Sequence, residues 1–410
     1  MLTTYFEHPF TLHKLRSGPA GPYLDDFAAQ LARAGYCRDK IRAHLRGAGC
    51  FSAWAAQTGL TISALDAQAL GQFGRCLDAQ GRLRCRRGQY SRSFVGARQL
   101  VDWLQTKGIV PPSPAPVEPE LLTAFCHWMQ TQRGVTETTL KGYRLALRRL
   151  LVVLGEEPEH YTVKQLRQFV LERTRDNKTS QVKTTVTVLR MFLRVLITQD
   201  RCAPELLVAI PTIAGWRQAA LPSYLGAEEV ERVLDTCDCT TTMGARDRAV
   251  LLLLARLGRR AGDVAALRLN DIDWEQGLFR VAGKSRQQTA LPLPQDVGDA
   301  LLHYVANHRP SVDTSCVFIT VVAPFRPFSR WTASSITAHA LRLAQIDAPS
   351  YGAHLLRHSA ATAMLRQGAS LEAIGAVLRH ASIETTQLYT KVDVDLLEQV
   401  CMPWLEVESC

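Results

Sequence analysis

The sequence predicts a mainly α-helical protein with a small antiparallel β-sheet, built as two helical bundles followed by an α+β domain. Apolar residues recur at three- and four-residue steps through most of the chain, as in ALRRLLVVL at 146–154, and this spacing is typical of amphipathic helices. Proline-rich segments interrupt the pattern twice, and two short extended segments follow in the last part of the chain.

Prolines mark the predicted domain boundaries, because consecutive prolines stop helices and favour an extended spacer. PPSPAP at 111–116 is the clearest such break, and PTIAGWRQAALP at 211–222 is the second. The predicted organisation is a helical domain at 1–112, a linker at 113–118, a helical domain at 119–213, a linker at 214–222, a third domain at 223–398 and a C-terminal tail at 399–410.

The first two pieces resemble each other weakly, and each is predicted to form about four amphipathic helices. Chance similarity between two helical bundles is the alternative explanation. The matched apolar pairs are Leu24 with Leu122, Phe27 with Phe125, Leu70 with Leu166, Phe73 with Phe169, and Leu104 with Leu196.

The charge balance favours a polyanionic partner, nucleic acid first. Lys and Arg number 48 against 38 Asp and Glu, which gives a net charge of +10. Basic residues cluster in both bundles, where they could contact phosphate or simply form a solvated face. The candidates for DNA contact are Arg82, Arg84, Arg86, Arg87, Arg92, Lys178, Lys183 and Arg190.

Several classes of protein are disfavoured by composition. The 11 cysteines include no CxxC pair, so neither a zinc site nor a disulfide framework is predicted. The N-terminal MLTTYFEHPF lacks the features of a signal peptide. The longest aliphatic run, at 249–255, falls far short of the ~20 residues that span a bilayer. We therefore expect a cytoplasmic protein.

The third piece holds the elements of the α+β domain in order. Helices are predicted at 227–234 and, very apolar, at 246–254. Extended segments follow at 278–281 and 289–293 with a turn around Lys284 between them, and the remainder is mainly helical from Thr332.

Four short motifs in this piece combine residues that suit phosphate chemistry, although each is weak alone. They are LGRRAGD at 257–263, GKSRQQ at 283–288, HLLRH at 354–358 and LRHASIETTQLY at 378–389. His354 and Arg357 would share a helix face and could hold two oxygens of one phosphate. His354 and His358 also have the spacing of metal ligands, but Leu355 stands where a zinc protease needs glutamate, so no metal site is predicted.

Taken together, the order Arg260, Lys284, His354-x-x-Arg357, His380, Tyr389 resembles the active site of the tyrosine recombinase (phage integrase) family, over about residues 120 to 400. The sequence departs from the family pattern at Arg259, usually apolar, at Arg379, usually glycine, and in a lysine turn that lacks a second glycine.

The resemblance implies a role for each matched residue. Tyr389 would be the nucleophile that forms a 3′-phosphotyrosine, and Lys284 would be the general acid for the leaving 5′-oxygen. Arg260 and Arg357 would clamp the scissile phosphate, where guanidinium groups can stabilise the added negative charge. His354 and His380 would hydrogen-bond the phosphate or assist proton transfer, and Asp263 would hold Arg260 in place.

The resemblance also implies partners and biology. Residues 119–213 would be a core-binding domain that clamps DNA against the catalytic domain at 223–398. The bundle at 1–112 would be either a reader of DNA arm sites or a protein-contact module. We expect double-stranded DNA with specific sites, possible accessory or sister recombinases, and no metal or other cofactor. We also expect a tetrameric synapse in which the residues after Tyr389 dock on a neighbouring protomer, with packing on their own domain as the alternative.

The expected process is integration, excision or transposition of a mobile element. Three alternatives are a catalytically silent DNA-binding protein, an enzyme that relaxes DNA as type IB topoisomerases do, and a metal nuclease. The complete set of six residues disfavours the first, and the missing carboxylate cluster disfavours the last.

Overall fold

The computed structural model describes residues 1–84, 89–112, 118–176, 179–213, 223–282, 288–348, 350–380 and 382–392. These residues are mainly helical and include a three-stranded antiparallel sheet, which confirms the predicted fold class. The chain divides into two compact units, one of residues 113–217 and one that combines 1–112 with 218–410. Each of the three predicted pieces buries a large apolar core of its own.

The N-terminal bundle contains six helices in its described part. They are α1 (Leu2–Tyr5), α2 (Pro9–Arg16), α3 (Leu24–Arg33), α4 (Arg38–Gln57), α5 (Ala67–Ala79) and α6 (Arg92–Thr106). Helices α4 and α6 cross at Gly47 and Gly96, where a methyl group on Gly96 would lie 2.5 Å from the carbonyl oxygen of His44. Glycine therefore allows the two backbones to touch.

The second bundle repeats the four-helix order of α3 to α6. Its helices are α7 (Glu120–Arg133), α8 (Glu137–Leu154), α9 (Val163–Asp176) and α10 (Thr179–Thr198). The matched apolar positions are buried alike: Phe27 and Phe125 are 1% and 2% exposed, and Phe73 and Phe169 are both 3% exposed. The weak sequence repeat thus corresponds to equivalent core positions in two bundles.

The third piece surrounds a helix whose second half is buried on every side. From Ala249 to Ala255 each residue of that helix, α12, is buried, which explains why this half of its sequence is apolar. The elements are α11 (Ala227–Leu234), α12 (Thr242–Ala255), α13 (Ala261–Ala266), β1 (Ile272–Asp273), β2 (Leu278–Ala282), β3 (Gln288–Pro292), α14 (Gln295–His303), α15 (Arg330–Leu343), α16 (Ala353–Arg366), α17 (Leu371–Leu378) and α18 (Ile383–Thr386).

The small sheet has the order β1-β2-β3 with antiparallel pairing throughout. Phe279 of β2 lies opposite Ile272 of β1 and Leu291 of β3, and all three side chains are buried in the core of the domain. The two longer strands were predicted within one residue at each end, whereas the two-residue β1 was missed because it is too short to show alternation.

In the described ranges no helix is both long and apolar enough to cross a membrane. No cluster of three or more histidine, cysteine or acidic side chains that could hold a metal ion is found in the same part of the chain.

Candidate active site

The turn that follows α12 brings two arginines to the site. Gly258 has a left-handed backbone (φ 57°), and a methyl group there would overlap the side chain of Leu378, so the position requires glycine. Arg259 and Arg260 follow at once, and the extended backbone of Arg260 forms the N-cap of α13. Their side chains have different surroundings: Arg259 is 3% exposed, whereas Arg260 is half-buried.

Helix α16 carries the second arginine of the predicted set. Gly352 caps the helix with extended backbone, so His354 falls in its first turn and Arg357 one turn later. Arg357 is buried, with 5% of its surface exposed. Its guanidinium donates to the carbonyl oxygen of Gly258 and, at 2.7 Å, to that of Leu378, which ties the α12 turn to the end of α17.

The C-terminus of α17 is closed by a left-handed residue. Arg379 has φ 57° and ψ 53°, and its N–H and that of His380 bond the carbonyls of Ala376 and Gly375, as in a Schellman motif. Because this backbone is favourable for glycine, the family's usual glycine at the position has a structural explanation. The arginine found here adopts the same conformation.

Three arginines then satisfy the last carbonyls of α17, which have no partner within the helix. Arg259 donates to Val377, Arg357 to Leu378, and Arg260 to the oxygen of Arg379 itself at 3.1 Å. The negative end of a helix dipole stabilises such cations. This arginine clamp (Arg259, Arg260 and Arg357 on the end of α17) joins the turn after α12 to α16, 99 residues away, and to the end of α17, 118 to 119 residues away.

Tyr389 lies beside the clamp, in a 3₁₀ turn at Gln387–Val392 that follows α18. Its ring is 2% exposed. Its hydroxyl oxygen is 3.0 Å from Nδ1 of His358, and its ring lies nearly parallel to that of His380 with centroids 6.1 Å apart. His380 in turn has its Nδ1 2.8 Å from the hydroxyl of Thr386, which orients the imidazole.

The electrostatics of the site keep its tyrosine and histidines neutral and its arginines charged. Burial raises the pKa of Tyr389, and the charges of Arg357 and Arg260 oppose that rise. Burial also lowers the pKa of His380 to about 4, helped by the same two arginines. Burial and the neighbouring Arg260 lower the pKa of Arg357 to about 10, so that it is still a cation at neutral pH. The site is therefore prepared to receive an anion.

Five of the predicted site residues come together, and two need comment. Arg260, His354, Arg357, His380 and Tyr389 gather around the end of α17, and burial, then Arg357 and Arg260, lowers the pKa of His354. The position of the predicted general acid, Lys284, lies outside the described residues. Asp263 was expected to hold Arg260, yet among the described residues no ion pair joins them.

The carboxylate of Asp263 acts instead through its charge on Arg259 and Arg357, where it opposes the lowering of the pKa that burial causes.

Sequence reasoning missed two residues of the site. Arg259 was noted as a departure from the family pattern and as a neighbour that complicates the assignment of Arg260, and its burial could not be read from a local motif. His358 was considered only as a metal ligand with His354, although its place next to Arg357 on the same helix was a usable signal.

The candidate DNA-contact residues differ in their local surroundings. Arg82, Arg84 and Arg92 are exposed, and the guanidinium of Arg84 lies 4.7 Å from the ring centre of Tyr90. Lys183 is half-buried on α10. The positions of Arg86, Arg87 and Lys178 lie outside the described residues.

Arg190 has a structural contact that its sequence neighbourhood did not reveal. It donates to the carbonyl of Ile210 at 3.2 Å and to the hydroxyl of Thr212 at 3.0 Å, within its own bundle. These bonds hold the segment after α10 against that helix.

Comparison with known proteins identifies the class. Residues 223–395 match the model of the phage integrase family. A protein of Sinorhizobium fredii that carries the name integrase/recombinase y4rA is 33% identical over 401 residues, which cover 96% of this chain and 97% of that protein.

Solved structures share the fold. The recombinase XerH bound to palindromic difH in a post-cleavage complex aligns with a TM-score of 0.55 at 18% identity, over 81% of this chain and 93% of that one. A lambda integrase tetramer bound to a Holliday junction aligns with a TM-score of 0.52 at 16% identity, over 75% and 90% of the two chains.

The chain belongs to the phage integrase family. It is a tyrosine recombinase, an enzyme class that cleaves and rejoins DNA strands, and the resemblance predicted from the order of the site residues is confirmed.

Proposed function

We propose that this recombinase acts at specific DNA sites to integrate, excise or transpose a mobile element, and that Tyr389 is its nucleophile. The observation that supports the assignment most strongly is the gathering of Arg260, Arg357, His380 and Tyr389 at the end of α17. Arg260 and Tyr389 are 129 positions apart in the sequence, so the convergence of these residues depends on the fold rather than on a local motif.

In the proposed cleavage step, the oxygen of Tyr389 attacks the scissile phosphorus and forms a 3′-phosphotyrosine. The bond from phosphorus to the 5′-oxygen breaks, and the leaving oxygen takes a proton from Lys284. Rejoining is the reverse: a 5′-hydroxyl attacks the phosphotyrosine and displaces the tyrosine. The ester conserves the energy of the phosphodiester bond, so the reaction needs no ATP.

The arginine clamp supplies the charge that this reaction requires. A guanidinium has five N–H donors, and the bonds from Arg260 and Arg357 to helix carbonyls use only part of them. The other donors can bind the oxygens of the phosphate as it gains negative charge in the transition state. His354 and His380 contribute hydrogen bonds to the same phosphate.

The two helical bundles extend the proposed DNA contact. Residues 119–213 form the core-binding domain, and 1–112 form a second copy of similar construction, supported by their equivalent buried positions. The lambda integrase is a tetramer on a Holliday junction, and we extend that assembly to this chain. The residues after Tyr389 dock on a neighbouring protomer, and the enzyme works on DNA in the cytoplasm.

The test is the formation of a covalent protein–DNA adduct. Suicide substrates nicked near candidate sites from the flanks of the gene are incubated with the protein and with Tyr389→Phe, and adducts that survive SDS are measured. The proposal expects an adduct with the unchanged protein and none with Tyr389→Phe.

A matched control is Tyr304→Phe, because Tyr304 is also fully buried in the same domain but lies outside the site. It should keep the adduct. An adduct that forms with Tyr389→Phe would move the nucleophile elsewhere. Binding to the correct DNA without any adduct would favour an architectural role, and relaxation of supercoiled DNA without recombination would favour an activity like that of type IB topoisomerases.

A further inference from the structure

His358 makes a contact that the assigned roles do not use. It lies on α16 directly after Arg357, and its Nδ1 is 3.0 Å from the hydroxyl oxygen of Tyr389. The two residues are 31 positions apart in the sequence, so the contact is produced by the packing of the last 3₁₀ turn on α16. The distance is that of a hydrogen bond.

Other groups near the hydroxyl are less suited to take its proton. Arg260 and Arg357 have no acceptor atom. His380 faces the tyrosine with its ring, and its Nδ1 is occupied by Thr386. Within the described part of the chain, the hydrogen bond of the Tyr389 hydroxyl is the one to His358.

The protonation states of His358 and Tyr389 suit a proton transfer from the tyrosine to the histidine. Burial lowers the pKa of His358, and the charges of His354 and Arg357 lower it further, so its imidazole is neutral at neutral pH. Burial raises the pKa of Tyr389, so the phenol keeps its proton in the resting site. The phenol therefore donates the hydrogen bond and Nδ1 accepts it, so the single N–H of the neutral imidazole is at Nε2.

We propose that His358 is the general base of the reaction: its Nδ1 accepts the phenolic proton as the oxygen of Tyr389 attacks the phosphorus. This inference rests on the proposed role of Tyr389. The bond from the tyrosine oxygen to phosphorus forms, the bond to the 5′-oxygen breaks, and the leaving oxygen is protonated by the acid assigned to Lys284. In rejoining, the imidazolium of His358 returns its proton to the departing tyrosine.

The variant that tests the proposal is His358→Asn, because the side-chain amide can offer an oxygen close to the position of Nδ1 but cannot take up a proton. General-base catalysis contributes about 10²- to 10⁴-fold, so cleavage of the suicide substrate should slow by about two orders of magnitude. The matched control is His339→Asn, an exposed histidine on α15, which should cleave at the normal rate. His358→Gln serves as a second variant should the first fail to fold.

A chemical substrate separates proton transfer from a merely structural role. DNA with a 3′-p-nitrophenyl phosphate carries a leaving group that needs no proton, and a 5′-hydroxyl strand can be joined to it by protein that lacks the nucleophile. Tyr389→Phe and the double variant Tyr389→Phe with His358→Asn should join this DNA at equal rates. A structural or phosphate-binding role for His358 would instead slow the double variant as much as His358→Asn slows cleavage.

The pH profile provides an independent measurement. The cleavage rate of the unchanged protein should fall as pH drops through the lowered pKa of His358, because the protonated ring cannot accept a proton. The groups that face this histidine are His354 and Arg357 on its own helix, and His380 and Tyr389 across from it. His358→Asn should remove this fall.

Three results would overturn the proposal. His358→Asn could cleave the suicide substrate at the normal rate, or it could cleave faster than the unchanged protein. The third is that the double variant joins the p-nitrophenyl DNA as slowly, relative to Tyr389→Phe, as His358→Asn cleaves. Faster cleavage would mean that the hydrogen bond holds Tyr389 back. Failure of the underlying assignment is recognised separately, since an adduct formed by Tyr389→Phe would show that the nucleophile is another residue.

Discussion

Replacing Arg259 or Arg260 by methionine tests the division of roles between two adjacent arginines. Arg259 is 3% exposed, and burial, with the neighbouring Arg357, Arg379 and Arg260, lowers its pKa to about 10. At about 1.4 kcal/mol per pH unit, the fold holds this cation at a cost of about 3 kcal/mol. Two hydrogen bonds, to the carbonyls of Leu257 and Val377, offset that cost.

Bonds from a charged donor contribute about 1.5–3 kcal/mol each, so the two bonds offset the cost and leave a net of about 0–3 kcal/mol. Methionine, which is similar in length and apolar, removes both. We therefore expect Arg259→Met to change the free energy of unfolding by no more than about 3 kcal/mol, or about 6–12 °C in melting temperature for a domain of this size. The folded variant should still form the covalent adduct.

Arg260→Met should behave in the opposite way. Arg260 is half-buried and donates one hydrogen bond, to the carbonyl of Arg379, so its loss should alter stability by only about 1 kcal/mol. Loss of a group that stabilises the charge of the transition state costs about 10²- to 10³-fold in rate, and adduct formation should fall accordingly.

Both variants are assayed by thermal unfolding and by the initial rate of adduct formation on the same suicide substrate. If folded Arg259→Met lost the adduct while Arg260→Met kept it, the assignment of the catalytic arginine would be reversed. Arg259 rather than Arg260 would then bind the phosphate at the end of α17.

Further substitutions test the fold around the site and away from it. Tyr389→Phe should lower stability by about 1 kcal/mol, because the hydrogen bond to His358 is lost, and unfolding without any such change would contradict that bond. Gly258→Ala should destabilise by about 1–3 kcal/mol and reduce adduct formation, since it combines a left-handed backbone with a clash on Leu378; a fully stable, active variant would contradict the described turn. Asp66→Ala removes the side-chain cap of α5 and should cost about 1 kcal/mol by thermal unfolding while adduct formation is unchanged; loss of the adduct would show that this bundle affects the chemistry.

Local patterns in the sequence were sufficient to locate the main helical elements and to establish the order of the site residues. Helical periodicity and proline breaks are local properties, since they depend on residues three or four positions apart and on the missing N–H of proline. Helix α11 and the strands β2 and β3 were located in this way to within one residue. The identity of the family followed from six residue types in a fixed order, which needs no coordinates.

The use of those side chains depends on contacts that form only in the folded protein. Arg259 and Arg260 are neighbours in the sequence, yet one is buried and the other half-buried, because the turn at Gly258 points them into different surroundings. The bond between His358 and Tyr389 likewise depends on how distant segments pack. Burial and hydrogen-bond partners arise from contacts across the chain, and no local pattern of residues encodes them.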